Sequence, residues 1–165
     1  MGEKKGGDAM YFVDRNKMEE RLRCMEQLMV HCKAQHRWDG ALERLALERI
    51  AHVLIEAVLD VGNAMIDGFI MRDPGSYNDI IDILVDERVI AAEDGERLKA
   101  FIAHRKALVH DYTNIDHASL LADLNAHWPA LEAYPKAVRH YLESELGPVS
   151  AFGNESMAGK EKDNR

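Results

Sequence analysis

The longest uninterrupted helical pattern lies in residues 40–71, and it constrains the fold more than any other feature. Leu47, Ile50, Val53, Leu54, Ala57, Val58, Val61, Ala64, Met65 and Phe69 recur at helical spacing. Their face is too broad for one partner, so this helix must pack against more than one neighbour. Asp39 is its expected N-cap, and Asp73-Pro74-Gly75 its terminator. Gly62 and Gly68 sit inside the pattern, each at a helix-propensity cost of up to about 1 kcal/mol. Either they let another helix approach closely, with a dimer seam as the candidate, or they are merely tolerated.

Helical periodicity also runs through the rest of residues 11–146. Residues 12–36 carry apolar positions at Val13, Met18, Leu22, Met25, Leu28 and Met29, with Asp14 as a possible N-cap. The methionines read as adaptable core packing. Ser76 followed by Asp79 resembles a capping box and opens a short helix through Glu87. Ile80, Ile81, Ile83, Leu84 and Val85 have strand character, but the cap and the lack of a partner strand favour helix. A further helix is expected over residues 92–109, and another helical region over 116–146 that Pro129 and Pro135 must kink or split. The expectation is an all-α antiparallel bundle of about five helices spanning residues 11–146. Residues 1–10, with three glycines, two lysines and no periodicity, read as a disordered tail, and residues 147–165 as a flexible one from their Gly, Pro, Ser and Asn content.

A chain of 165 residues is long enough for one domain with a real core, without disulfide or metal staples. Its 47% hydrophobic and 30% charged content is that of an ordinary globular protein. The net charge of −8 argues against broad, nonspecific adhesion to nucleic acid or anionic membranes. Contact with a polyanion must therefore be confined to a local cleft. Cys24 and Cys32 fall in one helical segment, roughly 12 Å apart and too far to bridge each other. They read as reduced thiols of a cytoplasmic protein. No apolar run long enough to span a membrane and no signal-peptide pattern appears, so a cytoplasmic location is expected.

The residues with chemical potential are Arg105, His110 and Tyr112, in the order Arg, four residues, His, one residue, Tyr. Leu98, Phe101, Ile102, Leu108 and Val109 form an apolar stripe, and heptad spacing places Arg105 and Tyr112 on it. An arginine on an apolar face is costly without a partner, so Arg105 is expected in a cleft or an interface. His110 lies five residues further on, about 140° around an unbroken helix. Either the helix ends near Leu108 or the site borrows a residue from a second subunit.

Glu56, Asp60, Asn63 and Asp67 trace one ridge of the long helix. A solvated face is the first reading of that ridge, a salt bridge to Arg105 the next, and a di-carboxylate metal site a weaker one. His104 is expected to face solvent, and Trp38 and Trp128 to anchor packing. Ligand spacings for zinc, Gly-rich phosphate loops and nucleophile elbows are missing from the sequence, so no metal or cofactor is expected.

The Arg105–His110–Tyr112 spacing resembles the signature of the HEPN superfamily of helical ribonucleases, in particular the HepT-like toxins. Similarity extends to Tyr11-Phe12-Val13-Asp14, to Asp60-Val61-Gly62-Asn63 and to Arg72-Asp73-Pro74-Gly75-Ser76-Tyr77. The resemblance implies a homodimer whose arginine–histidine motifs face each other across a cleft. It also implies metal-independent cleavage of RNA, in which the 2′-OH attacks its own phosphate. Arg105 and His110 are then the catalytic pair. It implies, further, that Tyr112 is the residue a cognate minimal nucleotidyltransferase antitoxin can adenylylate to silence the toxin. One position departs from the pattern: Lys106 stands where such proteins often carry a small polar residue such as Asn, adding charge and removing an orienting amide. The alternative is a non-catalytic HEPN scaffold that binds a nucleotidyltransferase or a nucleotide. A purely structural bundle would leave Arg105 on an apolar stripe unexplained.

Overall fold

The computed structural model of the chain describes residues 13–147. Residues 11 and 12, the expected N-terminal tail, and the expected C-terminal tail beyond Gly147 lie outside the described residues. The described residues form seven helical segments and no strand. These are α1 (Arg15–Ala34), α2 (Ala41–Gly68), α3 (Tyr77–Asp86), α4 (Ala92–Ile102), α5 (Arg105–Val109), α6 (His117–Ala126) and α7 (Trp128–Leu146). Two of the five expected helices are each split in two, which accounts for the difference.

The long helix α2 is the axis of the bundle, and α1, α3, α5 and α6 all pack on it. From Leu54 to Leu59 only Glu56 escapes full burial. No polar or charged side chain is buried among the described residues apart from the phenol of Tyr134. That hydroxyl donates to the Val58 carbonyl at 2.7 Å, so the polar atom taken into the core is satisfied. Burial drives its proton affinity well above that of an ordinary tyrosine.

Gly62 has a definite purpose. A Cβ placed there would lie 2.6 Å from Ile80 Cγ2 and 3.4 Å from Leu84 Cδ1. The close approach is thus made by α3 of the same chain, so Gly62 does not belong to a dimer seam. Gly68 is likewise buried within the chain, as the last residue of α2.

The ends of α2 also differ from expectation. Its N-cap is Gly40, whose N–H donates to the Glu43 carboxylate at 2.8 Å, while Asp39 pairs with Arg37 instead. At the other end the helix closes three residues before Met71. The Met71 N–H reaches back to the Ile66 carbonyl at 2.9 Å and Ile70 N–H to Asp67 at 3.4 Å, with Ile70 at φ 53°. This is a Schellman closure with a β-branched residue in the left-handed position that glycine normally fills. The helix stops there, before the Asp73-Pro74-Gly75 breaker is reached. Asp14 and Ser76 cap α1 and α3 as expected, accepting from Lys17 and Asp79.

The expected helix over 92–109 breaks at Ala103–His104, where the His104 N–H turns to an i−3 bond with the Phe101 carbonyl. Leu98 is fully buried in α4, whereas Arg105 begins a separate short helix that packs on α2. The heptad stripe from Leu98 to Arg105 therefore does not exist as one surface. Further along, Pro129 opens α7 just after the break at His127, but Pro135 lies inside α7 without splitting it. Arg139 ties α7 to α1 through Glu19 and Glu26, and its guanidinium holds the Glu26 carboxyl below the usual carboxylate range. No helix among the described residues is long and apolar enough to cross a membrane.

The Gly62 contact makes a direct prediction. Gly62→Ala must push the backbones of α2 and α3 apart or force Ile80 off its rotamer, at a cost of about 1–3 kcal/mol. Thermal or urea unfolding should register that loss. An unchanged midpoint would show that α3 does not sit as close to α2 as described.

Candidate functional site

The site begins with Arg105, the first residue of α5. Its Nε donates to Glu56 Oε1 at 2.6 Å, a pairing across 49 residues of sequence. Its guanidinium carbon lies 4.5 Å from the centroid of the Tyr77 ring. Carboxylate on one edge and aromatic face on another is a geometry suited to a planar guanidinium. His52, one turn before Glu56 on α2, approaches the same carboxylate oxygen at 3.8 Å. The hydrogen bond that Arg105 donates to Glu56, with the negative charges of Glu56 and Asp60, raises the Arg105 proton affinity further above its already high value. The ion keeps its charge, and about four-fifths of its side chain is covered.

The ridge on α2 thus has two characters. Asp60, Asn63 and Asp67 are exposed, as a solvated face should be. Glu56 is taken up by Arg105, which was the second reading of that ridge. Among the described residues no group of three or more His, Cys, Asp or Glu is placed to hold a metal ion.

His110 is the C-cap of α5 and is exposed, with its backbone N–H bonded to the Lys106 carbonyl at 2.8 Å. Its φ of −107° and ψ of −41° keep it near helical geometry. The helix therefore ends one residue later than the first alternative required, and His110 stays well around the axis from Arg105. Tyr112 follows in a turn and is 66% exposed. No hydrogen bond or ion pair joins the side chains of Arg105, His110 and Tyr112 among the described residues.

Two pairs that the sequence did not reveal bracket this segment. His104 Nε2 meets Asp123 of α6 at 2.5 Å, which corrects the expectation that it faces solvent. His117, at the start of α6, meets Glu48 of α2 at 2.9 Å. Together they fix both ends of residues 105–116 to the bundle. Neither leaves a local signal, because the partners lie 19 and 69 residues apart in sequence. Tyr77 escaped notice as a neighbour of Arg105 for the same reason.

A groove of about 800 Å³ opens elsewhere, between α1 and α7, lined by Arg15, Glu19, Arg23, Cys24 and Arg139 among others. It contains none of the three motif residues, and Arg139 within it is saturated by Glu19 and Glu26. The groove and the motif face are separate parts of the surface.

Comparison with known proteins identifies the family. A family model described as Ribonuclease HepT-like matches residues 18–138. A curated relative from Bacillus subtilis (strain 168), named "Putative RNase YutE", is 54% identical over 143 residues, covering 87% of this chain and 99% of its own. The solved structure of that relative, described as a cytosolic protein of unknown function, superposes with a TM-score of 0.84 over 86% of this chain and 99% of its own. A tri-AMPylated Shewanella oneidensis HEPN toxin, solved in complex with an MNT antitoxin, is 18% identical with a TM-score of 0.62. That match covers 76% of this chain and 95% of the toxin, and at such identity it shows the fold alone.

Proposed function

The chain belongs to the ribonuclease HepT-like family, and from that premise we propose that it is a metal-independent endoribonuclease toxin. Its working site forms between two copies, with Arg105 of one facing His110 of the other. One observation carries this reading. Arg105 is turned inward onto Glu56 and Tyr77 at the start of α5, while His110 leaves the far end of the same helix exposed. Five residues at 100° each put the two directions about 140° apart. A single α5 does not aim both at one phosphate, whereas a twofold axis beside it can.

The chemistry then needs only what the motif supplies. His110 takes the proton from a ribose 2′-OH, and that oxygen forms a bond to the adjacent phosphorus. The bond to the 5′ oxygen breaks, that oxygen takes a proton from water as it leaves, and the proton held by His110 returns to solvent. A cyclic phosphate remains on one fragment and a 5′-OH on the other. Imidazole is the side chain suited to proton transfer near neutral pH. Arg105 binds the non-bridging oxygens and stabilises the charge that builds on them. The overall negative charge of the chain confines RNA to this local cation.

Purified protein should therefore cleave single-stranded RNA in EDTA and leave cyclic-phosphate ends. His110→Ala and Arg105→Ala should each slow cleavage by at least ~100-fold with the fold intact. Full activity in His110→Ala would overturn the ribonuclease reading and leave a scaffold that binds a nucleotidyltransferase or nucleotide.

Regulation follows from the position of Tyr112. Its exposure leaves the hydroxyl accessible to a modifying enzyme, and the Shewanella toxin named above is described as AMPylated and bound to its antitoxin. Transfer of AMP from ATP to the Tyr112 oxygen, with release of pyrophosphate, would place a phosphodiester anion beside the cleft and obstruct RNA. A cognate nucleotidyltransferase, given ATP and magnesium, should add AMP to Tyr112 and suppress cleavage, read by mass spectrometry of the co-expressed pair. Equal silencing of Tyr112→Phe would remove the tyrosine from the mechanism.

A further inference from the structure

Arg105 is held by two groups that the motif does not include, and their placement sets which part of the guanidinium remains open. Glu56 Oε1 engages Nε at 2.6 Å, so the side edge is occupied. Tyr77 covers one face, with its centroid 4.5 Å from Cζ. The two terminal nitrogens make no hydrogen bond to any other described residue. A phosphate approaching Arg105 therefore meets the terminal edge, where two parallel N–H groups match two phosphate oxygens.

We propose that Glu56 and Tyr77 are positioning residues that present the terminal edge of Arg105 to an RNA phosphate. This rests on the ribonuclease reading above and adds to it a second pair of functional side chains, from α2 and from the start of α3. Glu56 fixes rotation about the last bond of the arginine side chain, and Tyr77 fixes the plane. Neither is needed to fill the core: the Glu56 side chain is 33% exposed and Tyr77 is 50% exposed. An acid beside a phosphate-binding cation also weakens its attraction for anions in general, so the arrangement favours direction over strength. A free, solvated arginine would bind RNA more readily and orient it less well. The short tether strengthens the case, because α5 has only five residues and no buried side chain of its own. The Glu56 and Tyr77 contacts hold the side chain of its first residue.

The test uses the full-length protein, with cleavage of a single-stranded RNA measured in EDTA across substrate concentration. Glu56→Ala should lower kcat by at least about tenfold while KM stays within about threefold, as misdirected rather than missing charge requires. Glu56→Gln, whose amide oxygen still accepts from Nε, should recover part of that loss. Tyr77→Phe should stay near wild type and Tyr77→Leu should fall with Glu56→Ala, because the ring face and not the hydroxyl does the holding. A faster Glu56→Ala enzyme would identify Glu56 as a mask over Arg105 and overturn the proposal, as would equal rates in all four variants.

A second readout does not depend on activity. The Arg105 Nε–H resonance, assigned by its disappearance in Arg105→Lys, should be protected from solvent exchange in wild type and lose that protection in Glu56→Ala. If wild-type protein cuts no RNA but the resonance behaves this way, the ribonuclease reading fails and the clamp stands. If the resonance is unprotected in wild type, the clamp itself fails.

Discussion

Burial of α2 organises this protein. Four helices of the bundle lean on it, and its flank from Leu54 to Leu59 is dry except at Glu56. The first turns of α2, at Leu42, Arg44, Leu45 and Arg49, stay exposed, but from Leu54 onward little of its surface is left. What remains there is the ridge of Glu56, Asp60, Asn63 and Asp67, and α5 comes to rest beside its first member. Gly62 lets α3 close on α2, and the start of α3 supplies Tyr77. Core packing and the arginine site are in this sense one arrangement: the contacts that bury α2 also deliver Glu56 and Tyr77 to Arg105.

Much of this was legible in the sequence because it was written at short range. Apolar recurrence marked α1, α2 and α3, and the caps at Asp14 and Ser76 act over three residues. What was not legible depends on distant partners or on competition between nearby signals. Asp39 had the better side chain for a cap, yet Gly40 with Glu43 took that place. The left-handed turn at Ile70 ended α2 before the proline did. The break at His104 had no breaker residue to announce it; the pairing of that histidine with Asp123 on α6 accompanies it. Treating residues 92–109 as one helix carried a heptad across that break. The salt bridge from the α2 ridge to Arg105, the second reading of that ridge, is present, although the continuous stripe through Arg105 is not. The motif itself was plain as spacing, but its surroundings were not, since Glu56 and Tyr77 are 49 and 28 positions away.

On the proposed reading, the charge arrangement would let an acidic chain act on RNA. A chain of net charge −8 repels polyanions at long range, so the proposed RNA contact would have to be a directed local one. Arg105 is kept ionised and aimed by the carboxylate beside it. Lys106 next in sequence is exposed and adds a second, less directed cation. The two histidine–carboxylate pairs at either end of residues 105–116 keep this segment on the bundle, which leaves His110 and Tyr112 projecting from an anchored loop.

The central claim is that Arg105 and His110 act on one phosphate from two different copies of the chain. Subunit complementation tests it most directly. Arg105→Ala and His110→Ala chains, co-expressed with different tags and purified as the mixed dimer, hold one complete site and one empty one. The account predicts that the mixed dimer recovers roughly half of wild-type RNA cleavage, the share of one site in a twofold pair, although each parent homodimer is inactive. A mixed dimer as inactive as its parents would contradict it, because both residues would then have to come from the same chain.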